Sequence, residues 1–600
     1  MTDTSASSEQ NLSPEQQRVK IEQGVENCRI LLRNNPGNHE LLHVMGMMEA
    51  QLGRWAEAET HLLQAENLAP QVKIIAYHRG VVLTSLGRFD EARQLFETAL
   101  AHGIDYPDVH YNLGNALKHF GRTEEAKQQY QIAIDKQPTH VMALNNLANI
   151  LKDEGAFDKA IALYQRAIAT DPAYARAQYN LGIAYVSLGL LDEAEKHYHK
   201  ALELEPNYPE ALNNLGIICR LRGQFYESRA WYEKSLALRP HYDEALNNLG
   251  NALHDCGESE EAIIRYRQAI LMRDTPDYHH NMSLALLATG QLEEGWRVYE
   301  ARWYGGQLSH VRRDYKQPIW RGEAGQGRTL YVYAEQGFGD TIQFCRYAPI
   351  LAEKGWRVVL EVQRPLLRLM QSLQGVAQVL ATGDAPPDFD MHCPTMSLPI
   401  GCKTNTVADI PADIPYLQAT PDDVTRWKEK LSTAEMGDKP SLRVGLVWSG
   451  NPRMHSPEMS AVNSRRSMQA ECLVPIMGIP GVRYYSLQKG VEAPADFHLI
   501  DLMNDCNDFA DTAALISNLD LVISVDTAVA HLAGALGKPI WMLNRFDSCW
   551  RWLQNRDDSP WYPHILRQFR QQKPGDWAGV MGRVADTLKL LAQGVTAARD

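Results

Sequence analysis

Two stretches near the carboxyl end have the residue types to hold an anion. Residues 519–525 form an apolar, β-branched run, and Asp526-Thr527-Ala528 follows it directly. Val529, Leu532, Ala533 and Leu536 then fall at i, i+3, i+4 and i+7, the spacing of a helix lying on a sheet. Gly537 and Pro539 end that helix, and 540–543 starts another strand. A strand that passes into a helix through small residues presents the helix's first backbone amides past the strand's carboxyl end, where open α/β sheets take phosphate. Thr527 and Ala528 are predicted to carry those amides, with His531 one turn further on. Residues 442–448 are a second such strand, ending in Ser449-Gly450-Asn451, whose small size suits close approach to a ligand. Arg465 and Arg466, then Lys489, supply cations for an anionic leaving group. Plainer roles exist for each: Asp526 as a helix cap, His531 as a packing residue, the arginine pair as a solvated loop.

The word Asp-Thr-Ala-x-Ala-His-Leu-Ala-x-Ala-Leu-Gly-Lys-Pro at 526–539 resembles the donor-binding segment of the heptosyltransferase-like GT-B glycosyltransferases. Their motif begins Asp-Thr-Gly, so Ala528 is a departure. So is the absence of a lysine in 449–470, which has only Arg453, Arg465 and Arg466. The resemblance implies a second segment. Residues 329–334 read as a strand, followed by Glu335-Gln-Gly337-Phe-Gly339-Asp340 and a helix marked by Ile342, Phe344, Cys345 and Ala348. The family opens its first domain with such a glycine-rich loop and uses the Asp as general base. Here that is Asp340, whose plainer role is helix cap and whose nearest rival is Glu335. The implied chemistry is a metal-independent, inverting displacement, with the nucleotide sugar as substrate and no cofactor. Asp388-Phe-Asp390 spells a metal-binding D-x-D, but it lies in a Pro-rich stretch; 390–393 is predicted to line the acceptor side of the cleft. The rings of Trp550, Trp552, Trp561 and Tyr562 are placed either on a nucleobase or over the cleft.

Stepping N-terminally, the chain repeats itself. Prolines at 138, 172, 206 and 240 are 34 apart, and Asn-Leu-Gly/Ala recurs at 112–114, 146–148, 180–182, 214–216 and 248–250. This is the tetratricopeptide period, a helix–turn–helix unit that buries its apolar face only by stacking on its neighbours. About eight units are expected. Asn112, Asn146, Asn180, Asn214 and Asn248 fall at one register, and a carboxamide can pair with both the N–H and C=O of an extended peptide. The array resembles the asparagine ladder of the eukaryotic O-linked N-acetylglucosamine transferase; bracing of each repeat is the alternative.

The predicted architecture is therefore an α-solenoid followed by an α/β GT-B fold of two Rossmann-like halves. Its parts are a mobile tail at 1–18, repeats at 19–304, and a linker or docking strap at 305–327 that Trp303 and Trp320 are predicted to pin to the domains on either side. The first half, on the acceptor side and carrying the base, spans 328–420, and an interdomain segment spans 421–440. The donor-side half spans 441–600, and its last helix, 576–593, is expected to cross back to the first. The linker is expected to keep the solenoid apart from donor binding. The combination is similar to bacterial tetratricopeptide-repeat flagellin glycosyltransferases, which implies a protein acceptor, flagellin among the candidates. An inactive GT-B half in a repeat adaptor, or transfer to an envelope glycan, are the other readings.

Composition sets bounds on these. The chain has 600 residues and a formal net charge of −13, which argues against a nucleic-acid-coating protein. No run of 18 apolar residues spans a bilayer. The polar N-terminus and nine scattered cysteines predict a reducing cytoplasm.

Overall fold

A computed structural model describes residues 13–305, 309, 311–435, 440–450 and 457–594. The chain divides into two compact bodies, Met1–Asn207 and Tyr208–Asp600, a boundary within the repeats and not at the predicted linker.

The first body is eleven described helices, from Pro14–Asn34 to Leu191–Leu204. Its first helix starts earlier than the predicted tail allows, because Ser13 and Gln16 form a reciprocal capping box. Within a repeat, a small residue on the first helix receives an aromatic ring from the second. A Cβ at Gly182 would collide with the ring of Tyr198, and Ala148 stands opposite Tyr164 in one buried cluster. Glycine ends the first helix of each pair, as at Gly155 (φ 78) and Gly189 (φ 75), where a left-handed residue turns the chain.

The asparagine ladder is wired into the array. Asn146 Nδ2 donates to Asn115 Oδ1 at 2.9 Å, which also accepts from Tyr130 Oη at 2.7 Å. Asn180 Nδ2 donates to Asn145 Oδ1 at 2.9 Å, and Asn112 Nδ2 to Tyr77 Oη at 3.3 Å. In the second body Asn248 Nδ2 donates to Asn213 Oδ1 at 3.0 Å. Asn180 is buried, while Asn112, Asn146, Asn214 and Asn248 are half-buried. The bonds match the bracing alternative for these amides, since stacking repeats need their buried amides paired.

The second body begins with six helices of the same kind, Pro209–Leu221 to Leu292–Tyr299, and continues into two parallel sheets. The first contains β1 (Thr329–Tyr333), β2 (Arg357–Val362), β3 (Val376–Ala381) and β4 (Met391–Pro394) in the order β3-β2-β1-β4. Residues 391–393, expected to line a cleft, are instead the buried strand β4 beside β1. Asp390 Oδ2 caps the sheet by accepting from Thr329 N at 2.7 Å. The second sheet contains β5 (Leu442–Val447), β6 (Val482–Ser486), β7 (Ile500–Asp501), β8 (Leu521–Val525), β9 (Ile540–Asn544) and β10 (Leu566–Arg570). Its order is β10-β9-β8-β5-β6-β7, all parallel. The last helix, Trp577–Ala592, packs on the 470–476 turn and β10 of its own half. Its apolar face, Val580, Met581, Val584 and Leu588, finds cover locally.

The repeats of this body do not stand apart from the sheets. Leu287, Leu292, Trp296 and Tyr299 belong to the same apolar core as both sheets. Trp296 is 2% exposed and meets Phe344 of the first half edge-on at 5.9 Å and Trp550 of the second at 5.3 Å. The 305–327 segment is docked too: Trp320 N donates to His392 O at 2.8 Å, and Arg313 pairs with Glu361 at 2.6 Å. Of the two readings of this segment, the docking strap is the one its contacts fit, with Trp320 buried in the shared core. A terminal repeat must have its apolar face covered, and here the α/β core covers it.

Candidate active site

The second sheet reverses direction between β5 and β8. The chain leaves β5 toward β6 and leaves β8 toward β9, yet β5 and β8 are neighbours, with Val447 opposite Ser524. Ligands of open α/β sheets bind at such a point, outside the strands' carboxyl ends. Ser449-Gly450 and Asp526-Thr527-Ala528, 76 or more residues apart in sequence, are thereby brought side by side.

Each loop is built for close approach. Thr527 is the extended N-cap of the Ala528–Ala535 helix and does not cap it with its side chain; its hydroxyl lies 3.1 Å from Ser524 Oγ. Ala530 N donates to Thr527 O at 3.2 Å, and no side chain caps the amides of Ala528 and Val529 ahead of it. A Cβ at Gly450 would meet the guanidinium of Arg466, so that cation lies directly across the loop and would have to move for any larger residue. Gly450 N donates to Ser467 Oγ at 3.1 Å, and Gln488 Oε1 accepts from Ser449 N at 2.9 Å. A cleft of about 450 Å³ opens beside this loop, lined by Trp448, Ser449, Ser464, Met468, Val491 and Glu492 among others. Asn451 and Arg453 lie outside the described residues. Lys489 is one strand removed: its Nζ donates to Cys506 O at 3.3 Å on the β6–β7 side.

His531 is corrected from donor contact to packing residue. It is buried, bonds Tyr562 Oη through Nδ1 at 2.9 Å and stacks on Trp552 at 5.1 Å. Burial, then the Arg551 charge, pushes its pKa down to about 3, so it is neutral at pH 7. The aromatic tail is also core: Trp550, Trp552, Trp561 and Tyr562 are all buried.

The first half meets this site through the Phe338–Phe344 helix, which packs on the Ala528–Ala535 helix. A Cβ at Gly339 would lie 3.0 Å from His531 and 3.5 Å from Ala528 Cα. Asp340 Oδ2 accepts from Gly337 N at 3.0 Å, closing the loop as a cap. Its other oxygen accepts from Arg551 of the second half. Arg551 is held in turn by Gln343 Oε1 at 3.1 Å and lies over Trp550 at 4.3 Å. Sequence reasoning missed Arg551. An arginine between two tryptophans was the available signal, because such a cation is set against rings and away from water.

Glu335, the rival base, is enclosed. Arg302, from the turn that ends the repeats, donates to its Oε1 at 2.9 Å and to Ser397 Oγ at 2.8 Å. Its Oε2 is buried and, among the described residues, unpartnered. Burial outweighs the pull of Arg302 and raises this carboxyl to about 7. A raised folded-state pKa means the native state binds the extra proton. The associated stability is full below the unfolded value of 4.5 and is lost as pH rises through about 7. Glu335→Gln keeps the acceptor for Arg302 and removes the charge. It is expected to raise the melting temperature at pH 8.5, by a stability gain on the order of 2–3 kcal/mol, and to give no gain at pH 4. A variant whose melting curve follows wild type at every pH would contradict this.

Among the described residues no group of three or more His, Cys, Asp or Glu is arranged to hold a metal ion, and no helix is long and apolar enough to cross a membrane.

Comparison with known proteins agrees with this architecture. Tetratricopeptide repeat models match 28–109, 83–149, 173–240 and 207–275, and the glycosyltransferase family 9 (heptosyltransferase) model matches 505–543. The chain thus joins tetratricopeptide repeats to a glycosyltransferase-family segment, and that segment contains β8, the Asp526–Ala528 turn and its helix. Protein FlbA of Caulobacter vibrioides is 30% identical over 336 residues, covering 51% of this chain and 53% of that protein; the chain spans about half the length of this curated relative. Among solved structures, TTC0263, a thermophilic tetratricopeptide repeat protein of Thermus thermophilus, is 26% identical over 30% of this chain and 99% of its own (TM-score 0.27). YrrB, described as having an unusual peptide-binding site, is 23% identical over 31% and 97% (TM-score 0.27).

Proposed function

We propose that the protein is a glycosyltransferase that moves a sugar from a nucleotide-sugar donor to a protein acceptor engaged by its repeats. The observation that carries this reading is the meeting of Ser449-Gly450 and Asp526–Ala528 at the switch point of the second sheet, against the Gly337–Asp340 loop of the first. The acceptor hydroxyl gives its proton to Asp340 as its oxygen bonds the anomeric carbon. The bond from that carbon to the donor phosphate breaks on the opposite face, so the configuration inverts. The departing phosphate takes the electron pair and is stabilised by the 528–535 helix amides and by Arg466. Those groups supply the positive potential, and the proposed reaction does not call on a metal. Half-buried Asn112 and Asn146 in the first body, and Asn214 and Asn248 in the second, are the proposed acceptor contacts, each taken within its own body; buried Asn180 serves the array. Flagellin is the first acceptor to try.

The test is nucleotide binding by Thr527→Glu. The substitution loses no side-chain cap, since Thr527 makes none, and it sets a fixed negative charge where the phosphates are to sit. Binding of nucleoside diphosphates is expected to fall below detection by calorimetry with the fold unchanged. Wild-type affinity in this variant would remove the phosphates from this helix.

A further inference from the structure

The helix that carries Arg466 across Gly450, Pro457–Arg466, is fastened to the repeats by the residue next to it. Arg465 Nη1 lies 3.4 Å from the carbonyl oxygen of Arg220 and 3.3 Å from that of Leu221, and donates to both. These are the last two carbonyls of the Pro209–Leu221 helix, at its negative end; Arg220 O also accepts from Gly223 N at 3.0 Å. Gly223, in the left-handed region at φ 78, turns the chain away just beyond and leaves room for the arginine: a Cβ there would lie 3.2 Å from Arg465 Cδ. The guanidinium rests over Phe225 at 5.4 Å, and Phe225 stacks on Phe546 at 6.2 Å. Arg465 Nε pairs with Asp547 Oδ2 at 3.0 Å. The same oxygen takes Arg545 at 3.1 Å, and Arg545 returns a bond to Val462 O at 3.3 Å.

We infer that Arg465 is a positioning residue through which the 209–238 repeat sets the place of the donor-side helix and so of Arg466 over the donor site. This rests on the donor reading given above for that site. One guanidinium joins the end of a repeat helix to a carboxylate after β9, so removing it loosens the 457–466 helix from the repeats and leaves Arg545 on Val462 O as its tie to the strand β9 side. Its described residues 459–466 are half-buried or exposed, the class of segment that opens locally.

The experiment compares full-length wild type, Arg465→Met and Arg465→Lys by amide hydrogen exchange and by binding of UDP, GDP, ADP and CDP, each alone. In Arg465→Met, exchange over 459–466 is expected to be about ten-fold faster without nucleotide, with other segments of the second sheet unchanged. The affinity for whichever diphosphate wild type binds is expected to fall about ten-fold. Lysine keeps the charge but cannot reach three acceptors, so it should fall between the two. If methionine prevents folding, the lysine variant alone decides. Unchanged exchange over 459–466 overturns the clamp. Faster exchange with unchanged affinity overturns its bearing on the donor. Wild type that binds none of the four nucleotides refutes the donor reading itself, and exchange still decides whether Arg465 holds the helix.

Discussion

Asp340→Asn is expected to cut sugar transfer by about 10²–10⁴-fold, the usual weight of a general base. A hydroxyl is a poor nucleophile at pH 7, and Asp340 belongs to the first-half helix that packs on the Ala528–Ala535 helix, next to Gly339 at their contact. Glu335 cannot take its place, because both its oxygens are enclosed by Arg302 and the repeat's last turn. Asparagine keeps the oxygen that caps Gly337 N. On the sequence alone that would leave the melting temperature untouched. The structure changes this expectation: Asp340 also neutralises Arg551, and their side chains are only 17% and 12% exposed. Leaving such a cation unpaired costs up to about 3–5 kcal/mol, so the single variant should melt earlier. Asp340→Asn with Arg551→Met removes both charges and should regain much of that stability without regaining transfer. Initial rates and melting curves on wild type and these two variants separate the two roles. Transfer by Asp340→Asn at a wild-type rate, or a product that keeps the donor's anomeric configuration, would move the base elsewhere.

Trp296→Ala is expected to destabilise the second body by about 3–5 kcal/mol, as for a fully buried Trp. Its ring is the wedge at which the last repeat, the first half and the second half meet, through Tyr299, Phe344 and Trp550. The cavity would lie directly behind Trp550, over which Arg551 is stacked, so the pairing of Arg551 with Asp340 should loosen as well. Denaturant unfolding of the variant measures the loss. The same contacts set where the chain can be cut. A fragment from 301 onward would expose the faces that Leu287, Leu292 and Trp296 cover and is expected to aggregate. A fragment from 208 keeps its core intact and is expected to bind nucleotide. A soluble, nucleotide-binding fragment from 301 would show that the last repeats are not part of the transferase core.

What the sequence determined by itself is what short-range physics writes into it. The 34-residue period, with Gly182 and Tyr198 or Gly216 and Tyr232 at fixed offsets, specifies stacked helix pairs, because ring and glycine must meet within one repeat. The run 521–525, then small residues, then a 3.6-period helix specifies strand, turn and helix, since each step depends on neighbours within a turn or a strand. That is why β8, its helix and the Thr527 amides were legible, and why the Asp340 loop was. The tertiary structure alone decided which faces and charges met. Arg551 reaches Asp340 across 211 residues, Arg465 reaches Arg220 across 245, and Arg302 reaches Ser397 across 95. A buried charge takes whatever counter-charge the packing brings to it. An inward-facing imidazole such as His531 and an asparagine such as Asn180 take the partners of the layer they are packed into. None of those partners lies within reach of a local pattern, because burial is a property of the assembled core and not of the segment.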